Sequence, residues 1–420
     1  MDNKDFHPVN YLKITIFGFA IAALWSSLHS IIIQLRLLDF VAESQKNSYL
    51  GILTGTGLIL AIAVQPIAGA ISDRSGLHWG RRRPYILLGT IFTILFLPGI
   101  GLCNSYLTFF IAYCLLQIGS NIAQGSYQAF IPDLVPKEKR GRASGVKTLL
   151  ELAGGVALLR LVGPFMGNYT ADKEAFWLWF SLGILALLLV GTMVATILTV
   201  KEKPGVGGYQ LPILSAIYRS FKANIKRTHT FIWFLTSRLF IMMAFHALQK
   251  FALYFFMDVI GIANPAAVTA DLLIIIGVGM LFAVYPAGRL SDKLGRKPIV
   301  FSSALLSALG IMLLFFSNSY MQIMLCSTLL GLSFGTFIST NWALATDLLP
   351  KGEEALYLGL TNLATAGGSA LVLFFIGPTI DYFNTISFGL GYKVMFIICF
   401  VFFIAGALAV LKIKGPNQSG

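Results

Sequence analysis

The sequence predicts an all-α membrane protein in which twelve transmembrane helices form two pseudo-symmetric six-helix bundles. Of its 420 residues, 56% are hydrophobic and only 12% are charged, whereas a soluble chain carries roughly 25% charged residues. Apolar stretches of about twenty residues recur along the chain, and each is long enough to cross a hydrocarbon core of about 30 Å. The second half also repeats motifs of the first. Together these observations argue against a soluble globular protein.

The apolar stretches define twelve spans. They are predicted at 13–38, 48–71, 84–103, 106–131, 143–165, 175–199, 230–257, 267–289, 298–317, 320–345, 356–379 and 392–411. Lys and Arg concentrate in the loops on one side, while the other side has only Lys46, Lys173 and Lys393. Because basic loops remain cytoplasmic, we expect both termini inside the cell and a multi-pass protein of the inner or plasma membrane.

The composition also argues against other classes of protein. The formal net charge of +13 comes from these short loops, so nucleic acid is not the predicted partner. The four cysteines lie in apolar runs without CxxC spacing and are predicted to be small core residues. The sequence has no Walker loop and no glycine-rich dinucleotide fingerprint. We therefore predict no metal, no cofactor and no enzymatic activity, and we expect a monomer in the lipid bilayer.

An internal repeat relates the two halves. A shift of 214 residues carries Pro84 onto Pro298, Asp133-Leu134 onto Asp347-Leu348, and Gly163-Pro164 onto Gly377-Pro378. We therefore predict an N-terminal bundle over 1–200, a cytoplasmic linker with a basic amphipathic helix over 201–229, and a C-terminal bundle over 230–420. Repeats of this kind place the substrate site at their interface, near the bilayer midplane.

A loop motif follows span two and returns after span eight. The first copy reads Gly69-Ala-Ile-Ser-Asp73-Arg74-Ser-Gly76, then Gly80-Arg81, and the second reads Gly288-Arg-Leu-Ser-Asp292, then Gly295-Arg296. Small residues let helices approach closely, and a carboxylate can meet the positive end of a helix. The two copies resemble the signature of the major facilitator superfamily. The predicted gating residues are Gly69, Asp73, Arg74, Gly76, Arg81, Gly288, Asp292 and Arg296.

Span four extends the resemblance. Its string Asn121-Ile-Ala-Gln124-Gly125-Ser-Tyr-Gln128-Ala129 is similar to that of glycoside–cation symporters, especially sucrose porters. That family carries an arginine where this chain has Gln128, and an essential aspartate where it has Gln117. Both members of the expected ion pair are neutral amides here. The resemblance therefore implies the fold and a sugar substrate, but the usual proton-coupling acid is absent.

Four amides of span four form a predicted substrate-binding stripe. Gln117, Asn121, Gln124 and Gln128 follow a spacing of i, i+4, i+7 and i+11, which puts them within about 60° of one another on a helix. Amides can both donate to and accept from sugar hydroxyls. The alternative is that these side chains only hydrogen-bond neighbouring helices.

Other polar and aromatic residues inside the spans complete the predicted site. Such side chains are costly in a membrane unless they have a partner or a function. The candidates are Trp25 and His29 in span one, His246, Gln249 and Lys250 in span seven, and Asn341 and Trp342 in span ten. An indole face beside amides suits a sugar ring, although Trp342 could instead be an interfacial anchor. The histidines could equally be packing residues.

Glu151 in span five is the predicted proton-coupling carboxylate. Its counterpart in the repeat is Thr365, so the symmetric scaffold does not require a charge there. Lys147 lies at i−4 on the same face, and the alternative is a static ion pair between the two.

The sequence thus predicts a secondary active transporter. Its substrate is predicted to be a small hydrophilic solute, a sugar or glycoside, moved by alternating access with proton, or alternatively sodium, symport. The alternatives are a proton-coupled exporter of an amphipathic compound and an organic anion transporter, since intramembrane cations outnumber acids.

Overall fold

Twelve membrane-length helices make up the fold. The computed structural model describes residues 8–136, 139–172, 174–202, 229–262, 264–317, 319–348 and 354–413. Within them the helical spans are α1 Asn10–Leu37, α2 Glu43–Asp73, α3 Arg83–Leu102, α4 Tyr106–Leu134, α5 Arg140–Asp172, α6 Ala175–Thr199, α7 His229–Ile260, α8 Pro265–Leu294, α9 Arg296–Phe315, α10 Tyr320–Asp347, α11 Gly359–Ile386 and α12 Leu390–Leu411. The predicted fold class is confirmed. The predicted linker helix lies outside the described residues.

Several helices are longer than the predicted spans. Hydropathy marks the apolar part of a helix, whereas the helix itself continues until a residue ends it. At the start of α8, the Asn264 side chain accepts a hydrogen bond from the Ala267 N–H, and Pro265 occupies the first turn. The prediction of 267–289 missed both this start and the last turn, which ends at Leu294.

Two of the described helices contain a π-helical turn. It spans Leu28–Ile32 in α1 and Phe256–Ile260 at the end of α7, where Gly261 terminates the helix with φ +68°. A π-turn widens the helix and is frequently found at functional sites. The turn in α1 contains His29, and the turn in α7 contains Asp258.

The chain divides into two compact units, joined through α2. Unit 1 comprises Met1–Val41 and Ile59–Ser215, and unit 2 comprises Ala42–Leu58 and Ala216–Gly420. The domain division at 200 and 230 stays a prediction.

Each unit is built from close helix pairs. In unit 1, α1 packs on α5 and α6, and α3 packs on α4. In unit 2, α10 packs on α8 and α9, while α12 packs on α7 and α9. Glycines permit these approaches: a Cβ on Gly154 of α5 would overlap the carbonyl oxygen of Phe19 in α1, and one on Gly89 of α3 would overlap the backbone of α4.

Candidate substrate-binding site

A network of amides joins α4 to α2 in unit 1. Gln117 and Asn121 are buried, with 3% and 2% of their surface exposed. Asn121 Nδ2 donates to Gln117 Oε1 over 2.9 Å. Gln65 Nε2 of α2 donates to Asn121 Oδ1 over 2.7 Å and also to Gln124 Oε1. Three of the four predicted amides therefore form one hydrogen-bonded line.

The fourth amide, Gln128, does not share this network. It is exposed, and no hydrogen bond among the described residues joins it to the other three. Gln65, which connects Asn121 with Gln124, was not among the predicted site residues. Its signal in the sequence was an amide in the middle of an apolar span, directly before Pro66 and four residues before Gly69.

Aromatic side chains continue the network toward α1. Gln117 Nε2 donates to the hydroxyl of Tyr113 over 2.7 Å, and His29 Nε2 lies 2.9 Å from the same oxygen. Trp25 Nε1 donates to Ser120 Oγ over 2.8 Å, and its ring centroid lies 4.6 Å from that of His29. Trp25 and His29 thus lie against the amide network, and their role in substrate binding stays a prediction. Tyr113 could have been found from its position at i−4 to Gln117.

Local structure positions His29. It lies in the π-turn of α1, and Gln34 Nε2 donates to its backbone carbonyl over 2.9 Å. Because a π-turn changes the rotation of the residues that follow it, the side chains before and after the turn need not share one helical face.

Glu151 lies in a separate cluster of unit 1. Its Oε1 is 3.6 Å from Lys147 Nζ, which is a loose ion pair, and its side chain is 35% exposed. Lys147 Nζ also lies 5.5 Å from the ring centroid of Tyr127. A Cβ on Gly18 of α1 would meet Glu151 Cγ at 3.1 Å. The carboxylate therefore lies close to α1 and α4, without a described hydrogen bond to the amide network.

In unit 2, Arg238 of α7 contacts residues of α10 and α11. Arg238 is 2% exposed. Its Nε donates to Thr365 Oγ1 over 2.7 Å, one terminal nitrogen donates to Asn341 Oδ1, and its Cζ lies 4.9 Å from the ring centroid of Trp342. Asn341 and Trp342 are predicted site residues, whereas Arg238 is not. The guanidinium covers one face of Trp342.

The predicted site residues of α7 are not part of this cluster, as far as the described residues show. His246 Nδ1 donates to the Met242 carbonyl over 2.9 Å, which is a bond within its own helix. Gln249 is exposed. Lys250 is 7% exposed and has no hydrogen bond or ion pair among the described residues.

The loop motif of unit 1 is organised by Arg82. This side chain is 3% exposed; it donates to Asp133 Oδ2 over 2.9 Å, to Ser72 Oγ over 2.6 Å and to the Asp73 carboxylate. Arg81 pairs with the second oxygen of Asp133 at 2.7 Å. The motif therefore holds the ends of α2, α3 and α4 together. Arg82 and Asp133 were not predicted gating residues, although the 214-residue shift carries them onto Arg296 and Asp347.

Unit 2 contains the matching cluster. Arg296 pairs with Asp347 Oδ2 at 2.6 Å and lies 3.7 Å from Asp292. A Cβ on Gly288 would lie 3.4 Å from Ser339 Oγ, so α8 and α10 approach closely here.

The remaining predicted gating residues lie in unit 1. Gly69 provides a carbonyl to Arg82 at 3.1 Å, and Gly76 lies in open space. Arg74 is half-buried just after the end of α2 and takes no part in the described bonds of Arg82.

A second polar cluster of unit 2 was missed altogether. Lys46 pairs with Asp258 at 2.6 Å, and Asp381 accepts from the Ser48 N–H at 2.7 Å and from Asn47 Nδ2 at 2.8 Å. These bonds tie the start of α2 to α7 and α11. Because the sequence signal is one polar residue near each helix end, spacing alone could not have paired them.

Comparison with known proteins gives relatives of several kinds. The chain is 35% identical to the minor myo-inositol transporter IolF of Bacillus subtilis over 86 residues, which is 20% of this chain and 20% of that protein. It is 23% identical to the multidrug resistance protein MdtG of Enterobacter lignolyticus over 367 residues, covering 84% of this chain and 80% of that one. The first match is therefore short, whereas the second extends over most of both chains.

Structural comparison and the family model agree on the fold. A crystal structure of a D-xylose-proton symporter superposes with a TM-score of 0.71 at 19% identity, covering 98% of each chain. The model of the family described as MFS/sugar transport protein matches residues 17–414. Twelve membrane-length helices, two copies of the loop cluster and this near-complete match lead to one conclusion: the chain belongs to the MFS/sugar transport protein family and is a multi-pass membrane transporter of the major facilitator superfamily.

Proposed function

We propose that the protein moves a small polyhydroxylated solute, a sugar or glycoside, by alternating access coupled to proton symport. The observation that carries this proposal is the amide network of buried Gln117 and Asn121 with half-buried Gln65, and Trp25 beside it. Buried amides and an indole face are the groups that hold a sugar ring, through hydrogen bonds on its edge and apolar contact on its face.

The relatives support a polyhydroxylated substrate. The family description names sugar transport, and IolF is named for myo-inositol. Both compounds present several hydroxyl groups, which match side chains that donate and accept at once.

For proton coupling we propose Glu151 as the titrating group. The position of the usual family acid is taken by Gln117, and Glu151 is a carboxylate inside α5, with a loose contact to Lys147. A carboxylate held by a weak partner can change protonation state without breaking a tight ion pair.

Uptake into proteoliposomes tests the proposal. We expect accumulation of at least one labelled compound from a panel of xylose, sucrose, lactose and myo-inositol when the pH gradient is inward. Asn121→Leu should reduce that uptake at least tenfold, because it removes the bonds that Asn121 makes to Gln65 and to Gln117 and so interrupts the amide network. Thr236→Val is the matched control, since within the described residues its hydroxyl bonds only to the Ile232 carbonyl of its own helix, over 2.9 Å. Absence of uptake for the whole panel would refute the sugar assignment.

Proton-coupled export is the competing function, favoured by the long match to MdtG. Efflux of an amphipathic dye from vesicles against its gradient, in the absence of sugar uptake, would establish it.

A further inference from the structure

Arg238 is a buried cation whose partners among the described residues are all neutral. The described residues place Thr365, Asn341 and Trp342 around its guanidinium, and no carboxylate contacts it. A buried arginine in a membrane span ordinarily has an anionic partner or a functional role. In unit 1 the loop arginine Arg82 does have such partners, Asp133 and Asp73.

The same cluster contains a buried donor without an acceptor. Asn341 is fully buried, its Oδ1 accepts from Arg238, and its Nδ2 has no hydrogen-bond partner within the described residues. The hydroxyl of Thr365 donates to the Thr361 carbonyl at 3.0 Å, so it offers Arg238 only an acceptor. Within the described residues the cluster therefore has one surplus donor and a positive charge, and it lacks an anionic acceptor.

The related half shows that helix packing does not require this arginine. Under the 214-residue shift, Asn341 corresponds to Tyr127 and Thr365 to Glu151. Those two residues lie close to Gly18 of α1, the first helix of that half. The equivalent place in unit 1 thus contains an acid, and the same shift carries Leu24 of α1 onto Arg238, so the charge of Arg238 is specific to unit 2.

We propose that Arg238 and Asn341 bind a carboxylate of the transported solute, so that among polyhydroxylated solutes the protein prefers sugar acids to neutral sugars. A planar carboxylate matches the fork of a guanidinium, and the amide N–H of Asn341 can donate to one of its oxygens. This inference rests on the proposed function, because alternating access is what exposes a site that is hidden from solvent in one state.

Gluconate and sorbitol form a matched pair of probes, since they differ at a single carbon as carboxylate and alcohol. With the full-length protein in nanodiscs, titration calorimetry should give an affinity for gluconate at least tenfold higher than for sorbitol. Arg238→Gln should remove that difference. Arg160→Gln, which changes an exposed arginine of α5, is the matched control and should preserve it.

Asn341→Asp provides a second variant in case Arg238→Gln does not fold. It supplies an internal carboxylate to the guanidinium, so we expect a higher melting temperature and loss of gluconate binding. Equal gluconate affinity in the parent and in either folded variant would overturn the inference. Stronger binding of glucose 6-phosphate than of gluconate would overturn the carboxylate assignment.

The carboxylate site and the transport function can be tested separately. Transport of a neutral sugar without gluconate binding would overturn only the carboxylate site. Absence of transport and binding for every sugar and for gluconate would overturn both.

Discussion

At the scale of single residues, charge asymmetry between the halves marks the functional candidates. Glu151 corresponds to Thr365 in the repeat, and Arg238 bonds to that same Thr365 over 2.7 Å. A scaffold with two related bundles requires equivalent packing in both, but it does not require an acid in one and a cation in the other. These two positions are therefore where we expect substitutions to change transport more than folding.

Glu151→Gln should uncouple transport. The amide keeps the size of the side chain but cannot take up or release a proton, so substrate exchange down a gradient should persist while accumulation driven by an inward pH gradient is lost. Labelled-solute uptake with and without the pH gradient measures both quantities. Glu174→Gln, outside the helices and exposed, is the control. Full accumulation by Glu151→Gln would identify the residue as a static partner of Lys147.

Asp133→Asn should harm the protein more than Asp73→Asn. Asp133 pairs with Arg81 and Arg82 and its side chain is 19% exposed, whereas that of Asp73 is 51% exposed. Loss of the Asp133 charge leaves buried Arg82 with a weaker partner, which we expect to cost about 2 kcal/mol or more. Loss of the exposed Asp73 pair should cost about 1 kcal/mol or less. Melting temperatures in detergent compare the two, and the reverse order would contradict the central role of Arg82.

At the scale of helices, close packing depends on glycines at defined contact points. Gly154 of α5 faces Phe19 of α1, and Gly51 of α2 faces Leu373 of α11 in unit 2, so close that a Cβ at either would overlap a carbonyl oxygen. Without a hydrophobic driving force between helices in lipid, association relies on such contacts and on hydrogen bonds. The bonds of Asp381 to Asn47 and Ser48 reinforce the second of these contacts.

Gly154→Val should destabilise the α1–α5 pair. Its side chain would force the two helix backbones apart, at a cost of roughly 1–3 kcal/mol or more. Gly183→Ala in α6 is the matched control, because that glycine has open space around it, and the substitution should be neutral or stabilising by about 1 kcal/mol. Thermal unfolding of both variants in the same detergent tests the contrast. Equal melting temperatures would show that α1 and α5 can separate without loss.

At the scale of the whole molecule, orientation in the membrane follows from charge and stays a prediction. In a variant without the four native cysteines, a cysteine at Ala171, exposed at the end of α5, should react with an impermeant thiol reagent from outside the cell. A cysteine at Gly207, in the predicted cytoplasmic linker, should react only after the membrane is permeabilised. The opposite pattern would invert the predicted topology.

The sequence by itself determined the membrane class, the twelve spans, the repeat and the loop motif. These depend on hydropathy and on spacing along the chain, which are local properties. Because helical spacing is also local, it brought Gln117 and Asn121 together as predicted.

Only the tertiary structure decided which polar side chains meet. Gln65 bonds to Asn121 across 56 residues of sequence, and Arg238 bonds to Thr365 across 127. Such pairs depend on the rotation and crossing of packed helices, which a one-dimensional pattern does not specify. For the same reason the sequence identified Arg81 in the loop motif, whereas the fold buries its neighbour Arg82 between two aspartates.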